Sequence, residues 1–302
     1  MTATPLAATR RFSGCGTALC TPFTSSGAVD EPALRKLVDW QIAEGVHFLV
    51  PCGSTGEAAT LTVAEHRRVV EVTVQQARGR VPIVAGAGSN DTQKAIALSK
   101  EMRAAGATHL LHVSPMYNKP PQRGIIAHFR AIADATDLPI VIYNVPGRTG
   151  SNIEAKTTLA LAGVPHIIAV KEASGNLAQI MDIIRERPAN FSVLSGDDSL
   201  TLAVMAAGGD GIISVISNAT PRLMSQLVER CADGDFTAAR ALHERLAKWM
   251  SAAFIESNPL PAKAALAMLG IAGNVLRLPL VPLAPQHEAA VREALVAAGS
   301  LP

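Results

Sequence analysis

The chain is expected to fold as a single α/β unit, a (β/α)8 TIM barrel with a C-terminal helical extension, and three observations predict it. Short apolar runs of strand length alternate with longer stretches of helical period eight times over, the pattern of parallel strands covered by helices. No linker rich in Gly and Ser divides the chain. Its 302 residues also exceed one barrel of roughly 250 residues by about the length of a small extension. The expected division is a leader over 1–13, the barrel over 14–234 and the extension over 235–302.

Taken in order, Gly16-Thr17-Ala18-Leu19-Cys20-Thr21 reads as the first strand, and Asp30 as the cap of a helix whose apolar face carries Leu34, Leu37, Val38 and Ile42. Further strands are expected at Phe48 to Pro51, Val81 to Gly86, His109 to Val113, Pro139 to Tyr143, Ile167 to Lys171, Phe191 to Ser195 and Gly211 to Ser214. Helical patterns follow them, for example at Ala64 to Gln76, Asp91 to Ala105, Gly124 to Ala135 and Asn176 to Glu186. Beyond the eighth unit the chain stays helical at Phe236 to Phe254, Pro261 to Leu269 and Gln286 to Ala298. Proline-bearing stretches at 258–261 and 278–285 separate these three segments.

Apolar residues make up 48% of the chain and charged residues 17%, which suits a large buried core. The net charge is +2 and no basic stripe interleaved with aromatics is present, so nucleic acid is not expected as a partner. Cys15, Cys20, Cys52 and Cys231 form no CxxC pair, which suggests reduced thiols and a cytoplasmic protein. Met1 to Arg11 holds no apolar signal core, and no apolar run is long enough to span a bilayer.

In barrels of this type chemistry belongs to the loops after the strands' C-terminal ends. The most suggestive end is Val170-Lys171-Glu172, where an apolar strand closes on a lysine. Strand alternation puts Ile167, Ala169 and Lys171 on one face and Ile168 and Val170 on the other. Desolvation there disfavours the ammonium, and a neutral amine is a nucleophile toward ketones. The competing reading is a lysine whose stem lies on apolar surface and whose head is in water.

Other strand ends carry further candidates. Gly53-Ser54-Thr55-Gly56-Glu57 offers backbone N–H groups and hydroxyls to a carboxylate. Tyr117 and Tyr143, the two tyrosines of the chain, close the loops after strands 4 and 5, where phenols can pass protons. Arg148 sits in a Pro-Gly turn, where its guanidinium can clamp a carboxylate by two hydrogen bonds. The acidic loop Ser195-Gly196-Asp197-Asp198 argues against a phosphorylated substrate and against pyridoxal phosphate. His109 and His112 face opposite ways on a strand, Gly86-Ala87-Gly88 lacks a dinucleotide fingerprint, and His66 has no HExxH partner. Neither metal nor cofactor is expected.

The segments GSTGE, SPMYNKPP, YNVPGRTG, VKEASGN, LSGDD, GIISVISN and NPLPAK together resemble the motif series of the dihydrodipicolinate synthase and N-acetylneuraminate lyase family, from about Gly14 to the C-terminus. The resemblance implies a pyruvate-dependent class I aldolase. Lys171 would form a Schiff base with the pyruvate ketone, with Tyr143 beside it as proton donor and acceptor. Ser54 and Tyr117 would complete a hydroxyl relay, Tyr117 entering from a neighbouring subunit of a homotetramer. Thr55, Gly196 and the backbone near Ile213 would contact pyruvate, and Arg148 would hold the carboxylate of the second substrate, a small aldehyde.

For the synthase branch of the family that aldehyde is aspartate semialdehyde. Ser54 is a departure, since the synthase pattern usually has threonine there and the lyase side often serine. A sialic acid or keto-deoxy sugar acid aldolase, or a silent barrel that binds a small acid, is the alternative. Many synthases of the family are inhibited by lysine in a cleft between subunits. Here that cleft would include Ala58, Ala59, Val63, His66, Asn90, Lys94 and Met116. Lys94 stands where a carboxylate is needed, so weak or absent inhibition is expected.

Overall fold

The structure, a computed structural model, describes residues 11–302. Most of the expected leader, 1–10, lies outside the described residues. Eight parallel strands form one sheet: β1 (Gly14–Ala18), β2 (Phe48–Val50), β3 (Val84–Gly86), β4 (His109–Val113), β5 (Ile140–Asn144), β6 (Ile167–Glu172), β7 (Ser192–Ser195) and β8 (Gly211–Ser214). Strand order runs β2-β1-β8-β7-β6-β5-β4-β3, and a parallel bridge between Leu49 and Ile83 closes β2 onto β3. The sheet is therefore the expected barrel.

Between the strands lie α1 (Glu31–Ala43), α2 (Val63–Ala77), α3 (Thr92–Ala104), α4 (Gln122–Asp134), the single turn α5 (Pro146–Thr149), α6 (Ala155–Ala162), α7 (Leu177–Glu186) and α8 (Thr201–Ala206). After β8 come α9 (Pro221–Ala232), α10 (Phe236–Ala252), α11 (Leu260–Met268) and α12 (Pro285–Ala298). The helix starts follow local chemistry. Asp30 accepts from the Ala33 N–H, Asp91 from Lys94 and Asn176 from Gln179, while Thr62 and Glu65 form a reciprocal capping box.

Three apolar clusters build the molecule. The barrel interior is filled by side chains such as Ala18, Phe48, Val141, Ala169, Leu194 and Ile213. A larger cluster joins the outer strand faces to the surrounding helices. A third packs the C-terminal helices against α9 around the buried Trp249, whose indole N–H donates to the Ile216 carbonyl at 3.1 Å. Among the described residues no helix is long and apolar enough to cross a membrane.

Several boundaries differ from the sequence expectation, each for a hydrogen-bonding reason. The first strand ends at Ala18 rather than Thr21, because Cys20 N–H turns to the Asn218 side chain and the Thr21 hydroxyl to the Gly56 carbonyl. The third begins at Val84 rather than Val81: Pro82 has no N–H, and Ile83 N–H is taken by the Thr108 hydroxyl. The expected facing of β6 needs one correction. The register slips between Ile140 and Val141, which pair with Ile167 and Ala169, so Ile168 is bulged. Ile167 consequently joins the outer core with Val170, whereas Ile168 packs toward the barrel interior. Ala169 and Lys171 keep the inward facing that the alternation predicts.

Candidate active site

At the C-terminal mouth of the barrel a cavity of about 180 Å³ is lined by Ser54, Thr55, Tyr143, Arg148, Lys171, Gly196 and neighbouring residues. The six residues just named are six of the eight expected site residues, all but Tyr117 and Ile213. Ile213 is fully buried in the barrel core, and Val215, past the end of β8, takes the place at the cavity wall. Tyr117 is 88% exposed, with a left-handed φ of 73°, and is outside the cavity of its own chain.

Of the eight lysines in the sequence, Lys171 and Lys263 are buried. Lys263 is ion-paired to Glu57, while among the described residues Lys171 has no ion pair. Its amine lies 4.4 Å from the centre of the Tyr143 ring, its direct partner across β5 and β6. Burial pulls its pKa down to about 8; the Asp198 carboxylate opposes that shift and the Arg148 guanidinium adds to it. The amine is therefore neutral in about one molecule in ten at pH 7. Tyr143 moves the other way, its phenol pushed up to about 12 by burial, so it stays protonated and able to donate.

The surroundings fix these two side chains. Glu172, next to Lys171, accepts from Asn144 Nδ2 at 3.1 and 3.0 Å, from the Ser174 N–H at 2.7 Å and from Gln179 Nε2 at 3.2 Å. Asn144 adjoins Tyr143, so this buried network locks the ends of β5 and β6 together. A Cβ on Gly196 would come within 3.0 Å of the Lys171 stem and 2.7 Å of Ala173, so only glycine leaves room for the lysine there. Asp198 accepts from the Ser214 hydroxyl at 2.5 Å and from the Val215 and Ile216 N–H groups, and burial raises its pKa to about 6. Of the two aspartates of the acidic loop, Asp197 lines the cavity and Asp198 does not.

Across the cavity, Asn258 donates from Nδ2 to Thr55 Oγ1 at 2.9 Å, and its carbonyl accepts from Arg148 at 3.4 Å. Arg148 belongs to a helical turn rather than an open loop, its side chain exposed at the mouth. Asn258, Asp198 and Glu172 are the residues that the sequence reading missed as supports. Asn258 lies in a stretch legible only as a proline-bearing separator, and nothing in its sequence context points 203 residues back to Thr55.

A cleft of about 470 Å³ adjoins the cavity, lined by Ala58, Ala59, His66 and Met116. Val63, Asn90 and Lys94, expected with them, are not part of its wall, and Lys94 is exposed. His109 and His112 do diverge, the first stacking on Phe12 and the second bonding Ser99 of α3. Among the described residues no cluster of His, Cys, Asp and Glu is arranged to hold a metal.

The neutral fraction of Lys171 sets a pH dependence. Because its pKa is depressed to about 8, the reactive amine gains about tenfold per pH unit below that value and levels off above it. Covalent capture of a ketone should accelerate between pH 6 and 8 and then plateau. A flat profile over that range, measured by borohydride trapping, would show an amine already neutral.

A buried lysine at the mouth of a (β/α)8 barrel, without an ion pair among the described residues and with a protonated phenol against it, defines the class of Schiff-base-forming lyases. The dihydrodipicolinate synthetase family model matches residues 11–298, and the chain belongs to that family. It is 51% identical over 292 residues to the 4-hydroxy-tetrahydrodipicolinate synthase of Koribacter versatilis, covering 96% of this chain and 97% of the relative. Among solved structures it resembles the chloride-inhibited dihydrodipicolinate synthase of Acinetobacter baumannii complexed with pyruvate, with a TM-score of 0.94, 40% identity and 96% and 99% of the two chains covered. The lysine-bound enzyme from Cyanidioschyzon merolae matches with a TM-score of 0.93 at 42% identity, over 96% and 99% of the chains.

Proposed function

We propose that the chain condenses pyruvate with L-aspartate 4-semialdehyde to give 4-hydroxy-tetrahydrodipicolinate, as a 4-hydroxy-tetrahydrodipicolinate synthase in lysine and diaminopimelate biosynthesis. The observation that carries this reading is Lys171, buried against Tyr143 with no ion pair among the described residues.

The neutral Lys171 amine attacks the pyruvate ketone, and loss of water leaves an imine. A methyl proton leaves to give the enamine, whose carbon attacks the aldehyde. Tyr143 serves as the proton donor and acceptor. The substrate's own amine then attacks the imine carbon, displaces Lys171 and closes the ring. Thr55 and the Ser54 turn receive the pyruvate carboxylate, with Gly196 and the backbone after β8 completing its pocket, and the Ser54 hydroxyl forms a proton relay with Tyr143.

Tyr117 joins the relay from a second copy of the chain. Its exposure on a single chain supports this, and a homotetramer supplies the neighbour. The cytoplasm is the proposed compartment, supported by four buried cysteines that are all free thiols. The direct test is condensation of pyruvate with aspartate semialdehyde against sugar aldehydes. Preference for a sugar aldehyde would move the chain to the lyase branch that Ser54 resembles.

Arg148 is exposed at the cavity mouth and steadied by the Asn258 carbonyl, a placement suited to the carboxylate of the incoming aldehyde. Arg148→Ala should raise the KM for the aldehyde by roughly 10- to 100-fold, the worth of a charge-assisted hydrogen bond, and leave pyruvate capture nearly intact. Loss of pyruvate affinity alone would reassign the residue. Lysine should inhibit weakly or not at all: Lys94 does not line the cleft of a single chain, and in a cleft completed by a second copy it would bring a cation where the ligand's ammonium needs a carboxylate. Strong inhibition at micromolar lysine would contradict that placement.

A further inference from the structure

The loop that carries Ser54 and Thr55 is bracketed by two residues other than glycine in the left-handed region, Cys52 (φ 58°) and Glu57 (φ 53°). L residues hold that conformation only where their surroundings impose it. At Glu57 the imposing contact is an ion pair with Lys263 of α11, the two side chains 0 and 1% exposed. The carboxylate also accepts the Arg277 backbone N–H at 3.2 Å, and Lys263 donates to the Val275 carbonyl at 2.7 Å. The Lys263 amine and the Arg277 guanidinium both lie on the Phe23 ring, at 4.1 and 4.4 Å.

Stability does not account for such a pair. Stripping water from two charges costs about as much as their attraction returns, and apolar residues of similar size commonly do as well or better. The Phe23 ring against the Lys263 amine offers an apolar neighbour that uncharged side chains could equally well pack on. What the pair supplies is direction: it ties the backbone at Glu57 to a rigid helix whose approach segment already holds Thr55 through Asn258. The loop is thereby gripped at two points, Thr55 and Glu57.

We infer that Glu57 and Lys263 are positioning residues, which set the Ser54 and Thr55 donors at the spacing that a pyruvate carboxylate needs; the inference rests on the pyruvate reading of the cavity. The test replaces the pair with neutral groups of similar size, Glu57→Gln together with Lys263→Met. Borohydride trapping is followed as a function of pyruvate, alongside thermal unfolding and amide hydrogen exchange over residues 53–57.

The half-saturating pyruvate concentration should rise by about tenfold or more, as for loss of a well-aimed hydrogen bond. Trapping at saturating pyruvate should stay near the parent rate, the unfolding midpoint should barely move, and exchange in the loop should quicken. Unchanged half-saturation with unchanged exchange overturns the inference. If the parent itself is not trapped by pyruvate, the reading of the cavity fails, and the exchange measurement alone decides whether the pair orders the loop. Should the double variant not fold, Glu57→Gln is read in the same way, and failure of both to fold makes the pair structural and the inference wrong.

Discussion

Lys171→Ala should lower turnover by roughly 10⁵-fold or more while the protein unfolds near the parent temperature, because the change removes the nucleophile and with it the intramolecular advantage of a covalent route. The fold has little reason to suffer. Lys171 has no ion pair among the described residues, so the change strands no buried counter-charge. Removing a desolvated ammonium also relieves part of the burial cost that pulls its pKa down to about 8. Kinetics on the purified variant, with calorimetry beside them, check both halves. Residual turnover within tenfold of the parent would place the nucleophile elsewhere.

Tyr143→Phe should lower kcat by roughly 10²- to 10⁴-fold, the usual worth of a positioned acid or base, with a much smaller effect on the capture of pyruvate. The variant loses only an oxygen, since the ring packs with the interior cluster against Ala169 and Leu194 and stays there as phenylalanine. Proton transfer is where the loss should fall. Wash-in of solvent deuterium into the methyl group of pyruvate isolates that step from condensation. Parent-like exchange in the variant would reduce Tyr143 to a packing residue.

The barrel was legible in the sequence because its signals are local: short apolar runs, a period switch to helix, and the cap Asp30. Lys171 and Tyr143 were legible for the same reason, since a strand end and its alternation place a side chain without knowledge of its neighbours. The bulge at Ile168 was not, because it arises from pairing with β5 and leaves no mark in a single strand. Asn258 and the Glu57–Lys263 pair were hidden more deeply. They act across 203 and 206 residues of sequence, and a lysine in a helical apolar run reads as a solvated side chain until packing shows it buried. Tyr117 marks the reverse case, a residue singled out in the sequence that its own chain leaves in solvent.

The central claim is that Lys171 is the amine that captures pyruvate, and sodium borohydride added with pyruvate, followed by peptide mass mapping, tests it most directly. A single reduced pyruvyl adduct on Lys171, forming in step with loss of activity, is the predicted result. Lys263 is the informative internal control, being buried as well but neutralised by Glu57. An adduct on Lys263 or any other lysine, or inactivation with no adduct at all, would contradict the account.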